Sequence, residues 1–157
     1  MKSKGKAATT KSTFSRETSV ETDINADLSI IWALLTSAAG YPRWNSTIIS
    51  IEGKIAQGEK ISLRSTLDPK RVFKLKVKAV EPSGRLVWGD AMGSRTYTVS
   101  KKADGTVTFC MNEKIGGPLF PLFAKMIPPF DRSFEQFAAD LKQEAETIMN
   151  SKQYSKP

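Results

Sequence analysis

The chain has 157 residues, with 24 Lys and Arg against 16 Asp and Glu, a formal net charge of +8, no histidine and one cysteine. That length fits one domain of about 100–200 residues, large enough to bury a full core without metals or cross-links. The missing histidines and the lone Cys110 exclude a zinc site built from His and Cys, a triad with a histidine base, and a disulfide within the chain.

The charge is uneven along the chain. Residues 1–16 hold Lys2, Lys4, Lys6, Lys11 and Arg16 and no acid, so the remainder is only mildly basic. Residues 1–14 are small and polar with no apolar period, and they are expected to form a disordered basic arm. No apolar stretch follows the lysines as in a secretory signal, and no run approaches the length of a membrane span. With one unpaired cysteine, the expected location is cytoplasmic, without stable membrane insertion.

A single domain is expected over 15–150, followed by a flexible tail at 151–157. Residues 16–24 alternate loosely and predict a strand. Asn25 is the expected N-cap of a helix carrying Asp27 in its first turn, and Ile30, Ile31, Leu34 and Leu35 share one face of it. Gly40 ends that helix, and Tyr41-Pro42 opens a second short one that closes near Trp44-Asn45. From 46 to 114 the apolar period becomes two, with turn residues at Gly53, Gly58, Asp68-Pro69, Pro82-Ser83-Gly84, Gly93 and Asp104-Gly105. Six strands in succession predict an antiparallel meander, apolar on one face and rich in Lys, Thr and Ser on the other. Leu63, Ser65, Leu67, Phe73, Leu75, Val77 and Ala79 are placed inward by their alternation. So are Leu86 and Trp88, Tyr97 and Val99, and Val107, Phe109 and Met111. A Phe- and Pro-rich connection follows. Then a long amphipathic helix sets Phe134, Phe137, Ala138, Leu141, Ala145 and Ile148 on one face.

Particular residues carry a family resemblance. Ile24-Asn25-Ala26 followed by Ile31-Trp32-Ala33-Leu34-Leu35-Thr36 is similar to the opening segment of the START/Bet v 1-like superfamily, and more narrowly of its polyketide cyclase/dehydrase-like (SRPBCC) group. Gly40-Tyr41-Pro42-Arg43-Trp44-Asn45 resembles that group's Y-P-x-W-N motif and is the most specific piece. Gly117-Pro118-Leu119-Phe120-Pro121-Leu122-Phe123, with Phe134-Glu135-Gln136-Phe137-Ala138 and Leu141-Lys142, resembles its last segment. The likeness spans about residues 16–148. It implies an α+β helix-grip fold, in which a curved antiparallel seven-stranded sheet wraps a long C-terminal helix and two short helices follow the first strand. It also implies a cavity for a hydrophobic small molecule such as a lipid or polyketide. The fold hosts many activities, so it does not select one.

The polar residues on the inward sheet face are Ser65, Asp90, Arg95 and Glu113. A buried charge needs a partner or water. Two outcomes are open: Arg95 and Glu113, with Asp90, orient the polar end of a ligand in the cavity, or they pair at strand ends and in solvent. The apolar ligand-binding candidates are Trp44, Leu63, Phe73, Leu75, Trp88, Tyr97, Phe109, Met111, Phe134, Phe137 and Leu141. The stretch 119–130 is expected to line the cavity with some gate character.

Three functions remain open. The first is binding or carriage of a hydrophobic small molecule with no cofactor and no metal. The second is a cyclase- or dehydratase-like reaction with Glu113 or Asp90 moving a proton and Arg95 stabilising developing negative charge. The third is an interaction module whose basic arm and Lys74, Lys76 and Lys78 meet an acidic partner. Nucleic acid is not expected, since no aromatic residues interleave with that stripe for stacking. Cys110 falls on the outward face as a surface thiol without an activating histidine.

Overall fold

The computed structural model describes residues 4–154. It is an α+β helix-grip fold with eight strands rather than seven, β1 (Ala8–Lys11), β2 (Ser15–Ile24), β3 (Ile48–Glu52), β4 (Lys60–Ser65), β5 (Phe73–Glu81), β6 (Arg85–Gly89), β7 (Gly93–Lys101) and β8 (Val107–Gly116). Four α-helices are α1 (Leu28–Thr36), α2 (Tyr41–Trp44), α3 (Phe120–Phe123) and α4 (Asp131–Tyr154), with single 3-10 turns at Ala38–Gly40 and Ala124–Met126. All neighbours in the sheet are antiparallel, in the order β1-β2-β8-β7-β6-β5-β4-β3. After β2, α1 and α2 carry the chain to the far edge. The meander from β3 then returns until β8 pairs with β2 over its whole length.

The arm expected to be disordered departs from that expectation within the described residues. Ala8–Lys11 add a strand to β2, and the segment is tied down by polar contacts rather than by apolar burial. The Ala7 amide donates to Glu135 Oε2 at 2.9 Å, and Thr9 Oγ1 donates to Asp131 Oδ1 at 2.7 Å, so β1 bonds to the first turns of α4. Lys4 pairs with Glu21 and Asp23. Composition alone misses the partners on α4 because Glu135 and Asp131 lie more than a hundred positions away. At the other end, α4 runs through the start of the expected tail to Tyr154. Residues 1–3 and 155–157 of the expected arm and tail lie outside the described residues.

Helix α1 buries Ile30, Ile31, Leu34 and Leu35, the face its spacing sets. Its N-cap is Asp27 rather than Asn25, and Asp27 makes no side-chain cap bond. The Asn25 amide instead donates to Glu146 Oε2 on α4 at 2.9 Å. Helix α4 buries Phe134, Phe137, Ala138, Leu141 and Ala145 completely or nearly so, spaced to form one stripe, and it lies over β2 and β8. In β5 the pairing with β6 slips at Lys78, so that Val77 opposes Trp88 while Ala79 opposes Val87. This bulge turns Ala79 to the face opposite the one expected and brings Val80 inward beside Leu86.

The Tyr41-Pro42-Arg43-Trp44-Asn45 segment holds the short helices against α4 and the sheet. Tyr41 is fully buried, and its hydroxyl donates to the Leu35 carbonyl at 2.7 Å. Buried Asn45 accepts from the Thr47 amide and hydroxyl through Oδ1, and its Nδ2 donates to the Phe137 carbonyl at 3.4 Å. Phe137 in turn meets the rings of Tyr41, Trp44, Tyr97 and Phe109, with centroids 5.4–6.2 Å apart. Replacing Asn45→Ala leaves the buried Thr47 groups without their acceptor and should cost about 1–3 kcal/mol. Urea unfolding of the variant beside the parent measures it, with an unchanged midpoint counting against this tie.

Candidate functional site

Because α4 lies over β2 and β8, the inward face of β4, β5 and β6 is left without a helix along its far end. A cavity of about 410 Å³ occupies that space. Leu63, Phe73, Leu75 and Trp88 form its sheet wall, and Phe123, Met126, Ile127, Pro128 and Phe130 cross over it. The crossing segment joins β8 to α4 and has the composition that sequence reading assigned to the cavity wall. Pro128-Pro129 prevent α4 from extending back over the open part of the sheet, since the residue before each proline is biased away from helix.

Arg95 and Glu113 stand directly opposite each other on β7 and β8, in a cross-strand row that continues to Trp88 on β6 and Thr18 on β2. Arg95 Nε donates to Glu113 Oε1 at 2.6 Å, and both side chains are largely covered, at 14% and 18% exposure. Both line the cavity. The guanidinium also lies 5.0 Å from the centre of the Phe134 ring and reaches the Tyr97 hydroxyl at 3.5 Å. Burial works against the Arg95 charge, but the Glu113 carboxylate and Tyr97 outweigh it, and its pKa rises further above the usual value. The two readings of this pair therefore meet in one arrangement: the charges satisfy each other and still form part of the cavity wall.

Asp90 lines the cavity but is exposed in the β6–β7 turn, where its Oδ1 accepts from the Met92 and Gly93 amides. Ser65 also lines it, and its hydroxyl is engaged locally, donating to the Thr47 carbonyl and accepting from the Leu67 amide. Trp44, Tyr97, Phe109, Met111, Phe134, Phe137 and Leu141 do not line the cavity. They are buried in the packed core beneath α4. Alternation places a side chain on the inward face, but only the position of α4 decides whether that part of the face is covered or open. Trp44 borders a shallower cleft between α1, α2 and α4 instead. Cys110 is half-buried on the outward face and donates to Glu21 Oε1 at 3.3 Å. Among the described residues no group of three or more Asp, Glu or Cys side chains could hold a metal ion.

Sequence reading missed Arg16. It falls in the inward row with Ile115 and is 7% exposed. Its two terminal nitrogens donate to the carbonyls of Ile127 at 3.1 Å and Pro128 at 2.8 Å, and its guanidinium sits 4.7 Å from the Phe130 ring centre. Desolvation lowers its pKa, opposed by the Glu113 and Asp131 carboxylates. Arg16 thus pins the segment that covers the cavity. The one sequence signal was a cation within the inward alternation of β2, masked by the count of basic residues in the arm. Arg16→Met keeps the apolar stem and removes both bonds. Amide hydrogen exchange should quicken at residues 124–130 while the centre of α4 stays protected. Equal protection in the two proteins would show that the segment is held by packing alone.

Burial also acts on the core phenols. It raises Tyr97 from an ordinary 10 to about 12, against the opposing charge of Arg95. The folded state therefore holds the Tyr97 proton more tightly than the unfolded state. Its contribution is complete below pH 10 and is lost as pH rises toward about 12. Urea unfolding across that interval should show a fall in stability, of which Tyr97→Phe removes about 2–3 kcal/mol. An identical pH slope in the variant would count against the buried phenol.

Residues 15–146 match the model of a family described as polyketide cyclase / dehydrase and lipid transport. A search of the curated proteins returns no match. Among solved structures, a protein from Mesorhizobium loti is similar at 23% identity, with 84% of this chain and 98% of that chain covered and a TM-score of 0.61. A START superfamily protein from Mycobacterium smegmatis is similar at 15% identity, 84% and 98% coverage and a TM-score of 0.61. Truncated norcoclaurine synthase from Thalictrum flavum is similar at 12% identity, 85% and 95% coverage and a TM-score of 0.63. At these identities the likeness establishes the shared fold. With its helix-grip architecture and a family match across nearly the whole sheet and long helix, this chain belongs to the polyketide cyclase / dehydrase and lipid transport family.

Proposed function

We propose that the chain binds an amphiphilic small molecule, its apolar body in the cavity and its polar end against the Arg95–Glu113 pair. The observation that carries this reading is the cavity itself. Its volume of about 410 Å³ lies within the range of small-molecule pockets, and its wall joins apolar side chains of Leu, Phe, Met, Trp, Ile and Pro with the polar Ser65, Asp68, Arg71, Asp90, Ser94, Arg95 and Glu113. An open apolar space of this size forgoes the packing that a filled core would supply, so it needs an occupant to recover those contacts. The paired charges offer a carboxylate acceptor and guanidinium donors without a net charge, which suits a hydroxyl, carbonyl or ester end group. Glu113 Oε1 accepts from Arg95 Nε. The site requires no metal or cofactor to perform this binding.

Native mass spectrometry of the purified chain, followed by solvent extraction, tests the reading directly. The expected result is one lipophilic molecule per chain, or, for a protein isolated empty, saturable binding of anilinonaphthalene sulfonate. Leu75→Trp fills the open space and should weaken dye binding by about tenfold or more. The double change Arg95→Leu with Glu113→Leu removes the pair as a unit, which avoids stranding one buried charge. It should alter which end groups are accepted while apolar probes still bind. Dye binding unaffected by Leu75→Trp would place the ligand elsewhere and overturn the proposal.

A further inference from the structure

The outer surface of the segment that covers the cavity is as apolar as its inner surface. Phe120, Phe123, Ile127 and Phe130 turn toward the protein, while Leu119 is 63% exposed and Leu122 and Met126 are each 80% exposed. The remaining large apolar side chains that stand exposed among the described residues are Phe14, Val72 and Met92. All six lie at one end of the molecule. Alternate turns of a meander share an edge, so the β4–β5 and β6–β7 connections, which carry Val72 and Met92, emerge beside the exit from β8. The Phe14 carbonyl accepts from the Gly117 amide at 3.0 Å, and the Met92 carbonyl accepts from the Gly116 amide at 2.9 Å. The opposite end carries none of them.

The same end is basic. Exposed Lys11, Lys70, Arg71, Lys114, Lys125 and Arg132 surround the apolar residues, against exposed carboxylates at Glu17, which stands opposite Lys114 across β2 and β8, and at Asp68 and Asp90. An apolar patch rimmed by cations at the mouth of an apolar cavity matches the layered chemistry of a bilayer with anionic headgroups. We infer that this end docks on an anionic lipid surface, with Leu119, Leu122 and Met126 entering the headgroup–acyl boundary and Lys114 and Lys125 facing lipid phosphates. A second copy of the chain fits the patch poorly. A two-fold contact would press the same ring of cations against itself in a protein of formal net charge +8. No described helix is long and apolar enough to cross a membrane, so the contact is peripheral. Docking in this orientation sets the cavity opening against the lipid, where an apolar ligand could pass without crossing water.

Flotation of the full chain with vesicles of phosphatidylcholine, with and without phosphatidylglycerol, tests the inference. The expected result is binding to the anionic vesicles that weakens steeply with added salt. The exposed-residue variant Leu119→Ser, Leu122→Ser, Met126→Ser should bind about tenfold or more weakly with an unchanged circular dichroism spectrum. Lys114→Glu with Lys125→Glu should weaken binding to the anionic vesicles by a similar factor. Absence of wild-type binding to anionic vesicles at low salt overturns the inference. So does an unaffected triple serine variant, or a wild-type dimer in size-exclusion light scattering that the serine variant dissociates. Flotation needs no ligand in the cavity, so an empty cavity in the dye and extraction experiments leaves this result standing on its own.

Discussion

Everything in this structure turns on one limit: the apolar stripe of α4 is narrower than the sheet face it packs against. The helix meets β2 and β8 through Phe134, Phe137, Ala138, Leu141 and Ala145, and these leave no gap. Further along the sheet, Leu63, Phe73 and Leu75 face inward with no long helix above them. Water against that surface is unfavourable, and a second long helix is not available. The chain covers it instead with the irregular segment between β8 and α4. A cover made of short turns follows the curvature loosely, and the space it leaves is the cavity.

Two arginines resolve the electrostatics of this arrangement in different ways. Arg95 is held from the sheet by Glu113 and roofed by Phe134, so its charge is balanced locally and remains available at the cavity wall. Among the described residues, Arg16 forms no salt bridge. It is satisfied by two main-chain carbonyls of the covering segment and by the Phe130 ring. Its Nε is buried without a partner. The first arginine gives the cavity a polar corner, and the second ties the cover to the sheet. Coupling between them runs through Glu113, which attracts both cations.

The same segment explains why the cavity and the proposed lipid-facing surface adjoin. A cover that is apolar on one side only would need polar residues at Leu119, Leu122 and Met126. Instead these positions are apolar, and the surrounding turns supply cations. The stretch reads as a thin apolar partition between an internal space and an external surface. The paired glycines Gly116 and Gly117 let it leave β8 sharply: Gly117 has φ +137, and a Cβ at Gly116 would stand 2.6 Å from the Phe14 carbonyl oxygen.

The sequence by itself determined the elements and their faces. Alternation marked seven of the eight strands, all but β1; the spacing of Ile30, Ile31, Leu34 and Leu35 marked the buried side of α1, and the stripe of α4 could be read residue by residue. The Tyr41–Asn45 motif pointed to the fold through its family resemblance, and in the structure Tyr41 bonds to the nearby Leu35 carbonyl and Asn45 to the Phe137 carbonyl of α4. These properties are local or nearly so, and local spacing records them. Tertiary structure decided the rest. Strand β1 pairs with β2, and Ala7 and Thr9 hold it to α4 more than a hundred residues away; the slip at Lys78 turns Ala79 outward because pairing with β6 overrides the local alternation. Above all, inward residues such as Tyr97 and Phe109 are sealed in the core while Leu75 and Phe73 are left at the cavity. Their sequence patterns are alike. What separates them is the line along which one helix crosses the sheet, and that line is a property of the assembled molecule.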